Sequence, residues 1–329
     1  MPDIKIVIEQ VQSKLEELLA QPNAIQQSRR WFHGRGKSYP QWEWCCIDYF
    51  SPVVIVIFYQ EPPAGVEADL LQHLVASIEH FNDAFSSGVS SDTKPVQALT
   101  IQRRYLPGAP FECPWGVQPE TLLARRGDLT FQLNFTSQNV GYFLDIEQAR
   151  CWLEQQVSML SEQGNNVRVL NLFAYTCAFS VVAKAAGASS VVNIDLSRRS
   201  LSIGRENHHI SRVSTEDVHF FAHDIFKSWG KLKKYGPYDI VIIDPPSFQK
   251  GSFVAAKDYA RLLTRMQSLV TERGMFLACL NSPEVLMQDF KQEIETICPE
   301  FQFHSILPEN ADFPEAEEGR ALKLLVYKK

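Results

Sequence analysis

The sequence has no long apolar run, no paired cysteines and no excess of positive charge. No apolar run approaches the roughly 20 residues that a membrane-spanning helix needs. The seven cysteines include no CxxC pair, which argues against zinc and favours reduced thiols. The formal charge is −6 at pH 7, which does not support a generic nucleic-acid binder, although a local basic face is compatible with it. We therefore expect a cytoplasmic protein with no membrane partner and no bound metal.

A glycine fingerprint is also missing from the stretch around which the chain is organised, residues 167–195. Val167–Leu170 is an apolar run typical of a buried strand, and Ala178–Ala186 is small, apolar and helical in pattern. A second apolar strand follows and ends at Asp195. An acidic residue at that place commonly binds a ribose, so the stretch predicts a site for a nucleoside-containing cofactor. An ordinary βαβ unit with a solvated Asp195 is the alternative.

The loop between this strand and helix indicates which cofactor to expect. Asn171–Ser180 reads NLFAYTCAFS, with bulky Leu172, Phe173 and Tyr175 and no lysine. A pyrophosphate needs bare backbone close to a helix N-terminus. The loop therefore disfavours NAD, FAD and nucleoside triphosphates, and with them a nicotinamide oxidoreductase. S-adenosyl-L-methionine (SAM), which has no pyrophosphate, is the cofactor that remains.

Periodicity divides the chain into four segments. We predict a lead-in helix over 1–24, a small α+β domain over 25–112, a linker and β-hairpin over 113–145, and an α/β domain over 146–329. In the last segment seven strands alternate with helices, which predicts a Rossmann-like, doubly wound sheet. The final two strands, Phe301–Leu307 and Ala321–Tyr327, are expected to close this sheet as an antiparallel pair.

Three local predictions concern the segments between strands. Arg125–Asp128 is expected to form the turn of the hairpin, Val254–Val270 one helix and Lys250–Ser252 a loop.

Polar side chains follow five strands of the predicted sheet. They are Asn171, Asp195, Asp224, Asp244 and Asn281. Because the carboxyl ends of parallel strands share one edge, these residues predict a ligand site there. Asp244 is followed by Pro245 and Pro246, which fix the backbone and remove two N–H donors. A rigid turn without a functional role is the alternative for these prolines.

A basic and aromatic stretch, Arg29–Gly36, lies in the small domain. His33, Arg35 and Lys37 could contact phosphate, and Trp31, Trp42 and Trp44 could stack on bases. A tryptophan core with a solvated basic rim is the alternative that we favour. The first candidates for phosphate contacts are Arg29, Arg30, Arg35, Lys37, Arg103, Arg104, Arg125 and Arg126.

Three motifs together resemble a known enzyme family. NLFAYTCAFSVVAKAAGASSVVNIDLS, a later HD and YDIVIIDPPSFQKGS are similar to the SAM-dependent methyltransferases that modify 23S ribosomal RNA, of the cytosine-C5 and guanine-N7 types. Upstream, LTFQLNFTSQNVGYFLDIEQAR resembles the hairpin of that family, and the resemblance covers residues 28–329. Where the cytosine type has its N-terminal RNA-binding module, we expect residues 1–24 to form a short helix instead.

The resemblance implies a role for each matching residue. Asn171, Phe173, Tyr175 and Thr176 would lie beside the methionine part of SAM, Asp195 would bind the ribose hydroxyls and Asp224 the adenine amino group. Asp244, Pro245, Pro246 and Asn281 would border the methyl group and the incoming base. Phe143 and Asp145 would close the cofactor pocket.

Two departures from the family pattern bear on the chemistry. Cys177 stands where the family usually has glycine, which predicts a more crowded cofactor loop. Methylation of cytosine C5 needs a thiolate that adds to the ring, and the aligned position here is Asn281. Cys279 lies two residues earlier, where a core cysteine is the better interpretation. The pattern is closer to the guanine-N7 type, in which a ring nitrogen attacks directly and catalysis needs only positioning.

The sequence therefore predicts a SAM-dependent methyltransferase that acts on RNA, plausibly on a base nitrogen of ribosomal RNA. A methyltransferase for a protein or small molecule, and a binding protein without turnover, are the alternatives. The oligomeric state is left open, a homodimer included.

Overall fold

The computed structural model describes residues 2–88, 94–246, 248–249, 253–317 and 319–329. The chain forms two compact units. The small unit comprises Met1–Leu144 with Ala311–Ala316, and the second unit comprises Asp145–Asn310 with Glu317–Lys329.

The small unit is an α+β structure whose main sheet has five strands in the order β1-β2-β3-β4-β5. Its elements are α1 (Ile4–Ala20), β1 (Arg29–His33), β2 (Cys45–Phe50), β3 (Val53–Phe58), α2 (Val66–Gly88), β4 (Ala98–Arg103), β5 (Phe111–Gly116), β6 (Leu123–Arg126) and β7 (Leu129–Gln132). β3 and β4 are parallel, whereas the other neighbours in this sheet are antiparallel. β6 and β7 form a separate hairpin.

The structure corrects the expected linker. Phe111–Gly116 is not a connecting segment but the edge strand β5, antiparallel to β4. Pro114 misleads sequence reasoning here, because proline is tolerated on an edge strand, where no ladder hydrogen bond is needed. The hairpin turn also differs from the prediction, since β6 runs through Arg125 and Arg126.

The second unit contains one seven-stranded sheet among its described residues, in the order β10-β9-β8-β11-β14-β16-β15. Its elements are α3 (Glu147–Glu162), β8 (Arg168–Leu172), α4 (Ala178–Ala185), β9 (Ser190–Asp195), α5 (Arg198–Ile210), β10 (Val218–Ala222), α6 (Trp229–Tyr235), β11 (Tyr238–Ile243), β12 (Phe248–Gln249), β13 (Phe253–Val254), α7 (Ala255–Leu263), α8 (Met266–Leu269), β14 (Val270–Leu280), α9 (Met287–Ile297), β15 (Gln302–Ile306) and β16 (Lys323–Lys328). β12 and β13 pair separately.

The topology of this sheet positions the site. β8, β9, β10, β11 and β14 pair in parallel, and β16 and β15 complete the sheet as the expected antiparallel pair. The central strands are buried on both faces, which explains their continuous apolar runs. The parallel strands therefore end at one edge, and the polar residues that follow them share that edge.

One predicted helix is wrong in its extent. The segment Val254–Val270 is not a single helix, because α7 ends at Leu263, α8 begins at Met266 and β14 begins at Val270. Thr264 Oγ1 donates to the carbonyl of Arg261 at 3.0 Å, a local bond typical of a helix end. The loop expected at Lys250–Ser252 lies outside the described residues.

Candidate cofactor and methyl-transfer site

Asp195, the last residue of β9, anchors the loop that follows β8. Its Oδ2 accepts a hydrogen bond from the Tyr175 backbone N–H at 2.9 Å, and its Oδ1 accepts one from the Ser197 N–H at 2.7 Å. Burial raises the pKa of this carboxyl, and the two N–H donors act against that rise. Each oxygen keeps a second lone pair, so Asp195 can hold the loop and also accept from a ligand hydroxyl.

The anchored loop contains three non-glycine residues in the left-handed region. These are Phe173 (φ 57°), Tyr175 (φ 45°) and Cys177 (φ 60°). Such conformations cost about 1–3 kcal/mol each and cluster at functional sites. Asn207 on α5 stabilises the loop by donating from Nδ2 to the carbonyl of Thr176 at 2.9 Å.

The crowding expected from Cys177 is relieved by a glycine on α5. A Cβ placed on Gly204 would overlap Cys177 Sγ. The structure therefore accommodates a cysteine at the family's usual glycine position because the facing helix position has no side chain.

Below this loop runs a buried network of four polar side chains, Asn171, Asn193, Ser180 and His208. Asn171 Nδ2 donates to Asn193 Oδ1, and Asn193 Nδ2 donates to Ser180 Oγ, both at 2.9 Å. Ser180 Oγ lies 2.9 Å from His208 Nε2. All four residues are at most 1% exposed. Sequence reasoning missed three of them, although a buried asparagine within the apolar strand β9 is a usable signal.

The network orients the Asn171 amide. Burial lowers the pKa of His208 to about 4, so its ring is neutral at pH 7. Ser180 Oγ accepts from Asn193 Nδ2, and the tautomer of the neutral His208 ring sets the direction of the hydrogen bond between Oγ and Nε2. At the other end, Asn171 Oδ1 is buried with no hydrogen-bond partner among the described residues. A buried acceptor in this state suits a ligand donor.

Asp244 lies directly after β11, and the pKa of its carboxyl is raised. Burial and charge repulsion from Asp145 raise the pKa of its carboxyl, Arg150 lowers it, and the net pKa is about 7. Arg150 is 2% exposed, and its Nε also donates to Glu147 Oε2 at 2.9 Å. Asp244 is thus a carboxyl that changes charge near neutral pH, which is common at functional sites. Sequence reasoning did not identify Arg150.

Tyr259 on α7 joins the two strand ends beside Asp244. Its buried hydroxyl lies 3.3 Å from the Ile243 carbonyl and 3.1 Å from the Cys279 carbonyl. These carbonyls immediately precede Asp244 and closely precede Asn281, respectively. Tyr259 therefore positions both segments, and nothing in the helical pattern of the sequence distinguished it.

Cys279 is a core residue. Its side chain is fully buried in β14, and burial raises the pKa of its thiol well above the usual value, with Asp244 and Asp145 adding to the effect. Asn281 is exposed just beyond the strand. The end of β14 therefore presents an amide and not a thiolate.

The remaining predicted site residues differ in their surroundings. Asp224 caps the turn after β10, since its Oδ1 accepts from the Phe226 N–H at 2.9 Å, and Lys227 lies 3.6 Å from its Oδ2. Pro245 is buried and Pro246 is partly buried. Asp145 belongs to the second unit and Phe143, which is exposed, to the small unit. The role expected for Phe143 stays a prediction.

The basic and aromatic stretch of the small unit is largely structural. Trp31, Trp42 and Trp44 are 2%, 0% and 7% exposed, which confirms the core interpretation. Arg30 binds Asp48 through two hydrogen bonds of 2.6 and 3.0 Å. Arg29 pairs with Asp312 and Glu17, and Arg103 pairs with Glu67 and Glu112. Arg29, Arg30 and Arg103, which were expected to contact phosphate, are thus ion-paired within the unit.

Comparison with known proteins agrees with this geometry. The family described as S-adenosylmethionine-dependent methyltransferase matches residues 29–328. The chain belongs to this family.

Curated relatives of this methyltransferase are named as ribosomal RNA methyltransferases. YwbD of Bacillus subtilis, named as a candidate ribosomal RNA large subunit methyltransferase, is 29% identical over 301 residues, which are 86% of this chain and 70% of YwbD. Ribosomal RNA large subunit methyltransferase K/L of Psychrobacter cryohalolentis is 35% identical over 161 residues, 46% of this chain and only 20% of that enzyme.

Solved structures show the same fold. SMU.776, a candidate methyltransferase crystallised with S-adenosylhomocysteine (SAH), superimposes with a TM-score of 0.79 at 22% identity, covering all of this chain and 82% of that one. At that identity the likeness shows the fold alone.

The residues of the methyltransferase fit SAM. The buried, unpartnered Asn171 Oδ1 suits the ammonium donor of an amino acid, and the carboxylate of Asp195 suits ribose hydroxyls. Asp224 offers acceptor oxygens for an adenine amino group. The loop has no lysine or glycine for a pyrophosphate.

The described residues contain no group of three or more His, Cys, Asp or Glu placed to hold a metal ion. None of their helices has both the length and the hydropathy to cross a bilayer.

Proposed function

We propose that the protein transfers a methyl group from SAM to a nitrogen of a ribosomal RNA base. The methyltransferase family supports the reaction class, and the names of YwbD and the K/L enzyme support the substrate class. The chain covers one fifth of the K/L enzyme, so the whole activity of that enzyme is not carried over.

The proposal of a base nitrogen, and not a base carbon, rests on the side chains at the end of β14. Methylation of a pyrimidine carbon requires a thiolate to add to the ring. Here Cys279 is fully buried with a raised pKa, and the exposed residue is Asn281. A ring nitrogen carries its own lone pair and needs no covalent activation, so it matches a site without a thiolate.

The residues of the site then act by positioning. Bound SAM supplies an electrophilic methyl group on a sulfonium. Asn171 Oδ1 and Asp195 bind its amino and ribose groups, while Asp244, Pro245 and Asn281 orient the incoming base. Tyr259 holds the strand ends on which Asp244 and Asn281 stand. Alignment of two reacting groups can supply much of the rate enhancement without a dedicated general base.

The test is methyl transfer to RNA. We would incubate the purified protein with methyl-labelled SAM and total RNA from a strain that lacks its gene, beside a protein extract from the same strain. Label in RNA, released as a nitrogen-methylated nucleoside, is the expected result. The Asp195→Ala variant serves as the negative control. Label only in the protein extract would contradict the RNA substrate, and a carbon-methylated nucleoside would contradict the nitrogen.

A further inference from the structure

An open groove runs along β10, the edge strand of the seven-stranded sheet. It lies between the second half of α5, the turn that follows α5, and the residues 218–221 of β10. We call it the α5–β10 groove. Its volume is about 1100 Å³, above the range of about 300–1000 Å³ common for small-ligand pockets. β10 itself is about 16 Å long, from five residues at about 3.3 Å each.

The groove carries more positive than negative charge. Arg205 and Arg212 are exposed on its wall, whereas Glu206 is the one carboxylate among its lining residues. Within the described part of the chain, neither arginine forms an ion pair. The wider segment 198–234, which includes α6 outside the groove, holds eight Lys and Arg against four Asp and Glu.

The small unit shows the opposite balance. Its residues hold 11 Lys and Arg against 17 Asp and Glu. The local basic face that the negative net charge left open therefore lies on the second unit, and a polyanion would be attracted there.

Aromatic rings lie on both faces of β10, as the alternation of a strand requires. On the α5 side, the Arg205 guanidinium carbon lies 4.4 Å from the centre of the Phe220 ring. On the other side, His219 and Phe221 have nearly parallel rings 6.0 Å apart, and Lys231 Nζ lies 4.3 Å from the Phe221 ring. An arginine held over a ring keeps its N–H groups available at the groove.

We propose that the α5–β10 groove is the docking site for a single-stranded segment of the RNA substrate. Arg205 and Arg212 bind its phosphates, and the rings along β10 contact its bases. This combination of a basic groove and stacking rings is how single strands are bound without base readout. The inference rests on the proposed RNA substrate and adds where that RNA lies on the second unit.

The experiment measures affinity for a fluorescent 20-nucleotide single-stranded RNA over a salt series. The double variant Arg205→Glu/Arg212→Glu should bind at least tenfold more weakly. The negative slope of log affinity against log salt should become shallower by about 1.4, the value for two phosphate contacts on a single strand. Arg205→Lys/Arg212→Lys should keep the slope. Arg273→Glu reverses an exposed charge on β14, and it should leave RNA binding unchanged.

A comparator on the small unit makes the result decisive. Arg35 and Arg104 lie over the Tyr59 ring, at 4.2 and 5.0 Å, and Arg35→Glu/Arg104→Glu reverses them. If this pair weakens RNA binding while the groove pair does not, the docking inference is overturned and the RNA substrate stands. If the wild-type protein binds SAH but neither binds nor methylates RNA, the proposed function itself fails. Unchanged SAH affinity in the groove variants, measured by calorimetry, excludes a general loss of folding.

Discussion

The two units use cationic and aromatic side chains in different ways. Around β1 in the small unit, Arg30 forms an ion pair with Asp48 and Arg29 forms one with Asp312. The nearby tryptophans, Trp31, Trp42 and Trp44, are buried. Along the α5–β10 groove, the arginines contact a ring or solvent, and neither forms an ion pair with a described residue. The richer sequence signal, RRWFHGRG, belongs to the first region, although the second is the better candidate for binding RNA.

The difference lies in whether a polar group already has its partner. A buried, paired charge contributes to folding, and removing one partner leaves the other uncompensated. A group whose partner is missing, such as Asn171 Oδ1 or Arg205, can be satisfied by a ligand. Variants in the first class should therefore change stability, and variants in the second should change binding.

The largest effect is expected from Asp48→Asn in the small unit. This change leaves Arg30 buried beside a neutral side chain, and breaking such a pair costs about 3–5 kcal/mol. Urea unfolding measures the loss. Glu120→Gln, at an exposed position, should change the free energy of unfolding by less than about 0.5 kcal/mol. If the Asp48→Asn protein is stable but binds RNA more weakly, the Arg30–Asp48 ion pair serves RNA binding and not folding.

Asp195→Ala should weaken SAH binding about a hundredfold with a smaller effect on stability. The variant loses the acceptor for the ribose hydroxyls, and a hydrogen bond to a charged group contributes about 1.5–3 kcal/mol. It also loses the bonds to the Tyr175 and Ser197 N–H groups, but burial of the carboxyl offsets their contribution to stability. Isothermal calorimetry measures the affinity, with the exposed Glu216→Ala as control. Unchanged affinity would remove Asp195 from the site.

Gly204→Ala should destabilise the cofactor loop by about 1–3 kcal/mol, the usual range for overpacking, and lower SAH affinity. The added methyl group overlaps Cys177 Sγ. The double variant Cys177→Gly/Gly204→Ala should recover most of both quantities, because it removes the opposing sulfur. If the double variant is no better than the single one, the two positions are not coupled as described.

His208→Gln should make stability less sensitive to acid. Because the unfolded chain binds a proton at this histidine near pH 6.5 but the native state only near pH 4, acidification between these values favours unfolding. The contribution reaches about 1.4 kcal/mol per pH unit. Urea midpoints at pH 7 and 5 measure it. The control is the exposed His209→Gln, which should show the same pH dependence of stability as the wild type. If His208→Gln also keeps that pH dependence, the His208 ring is not held neutral by burial.

Asp244 should give the protein a pH-dependent preference for SAM over SAH. The pKa of its carboxyl is about 7, so its negative charge appears as the pH rises from 6 to 8. A carboxylate beside a sulfonium is worth about 1 kcal/mol in a water-like medium. Because the carboxyl is only partly ionised at both ends of this range, the ratio of SAM to SAH affinity should thus rise roughly three- to fourfold. Asp244→Asn should flatten this rise, and a wild-type ratio that is constant with pH would place Asp244 away from the sulfonium.

Local patterns were sufficient to predict the sheet of the second unit. Apolar runs predicted β8, β9, β11 and β16, and the alternation with helices predicted the sheet that they form. Polar residues after five strands predicted the edge where the site lies. The failures came where context overrides a local signal: Pro114 was taken as a linker residue but lies on an edge strand, and the expected helix over 254–270 ends at Leu263.

By itself, the sequence determined the fold class, the cofactor and the family, because these depend on periodicity and on residues close together in the chain. Only the tertiary structure decided which polar groups are available to a ligand. Asp312 pairs with Arg29 across 283 positions, Gly204 makes room for Cys177, and His208 reaches Asn171 through Ser180 and Asn193. Such partners are brought together by folding over long separations, and local spacing does not record them.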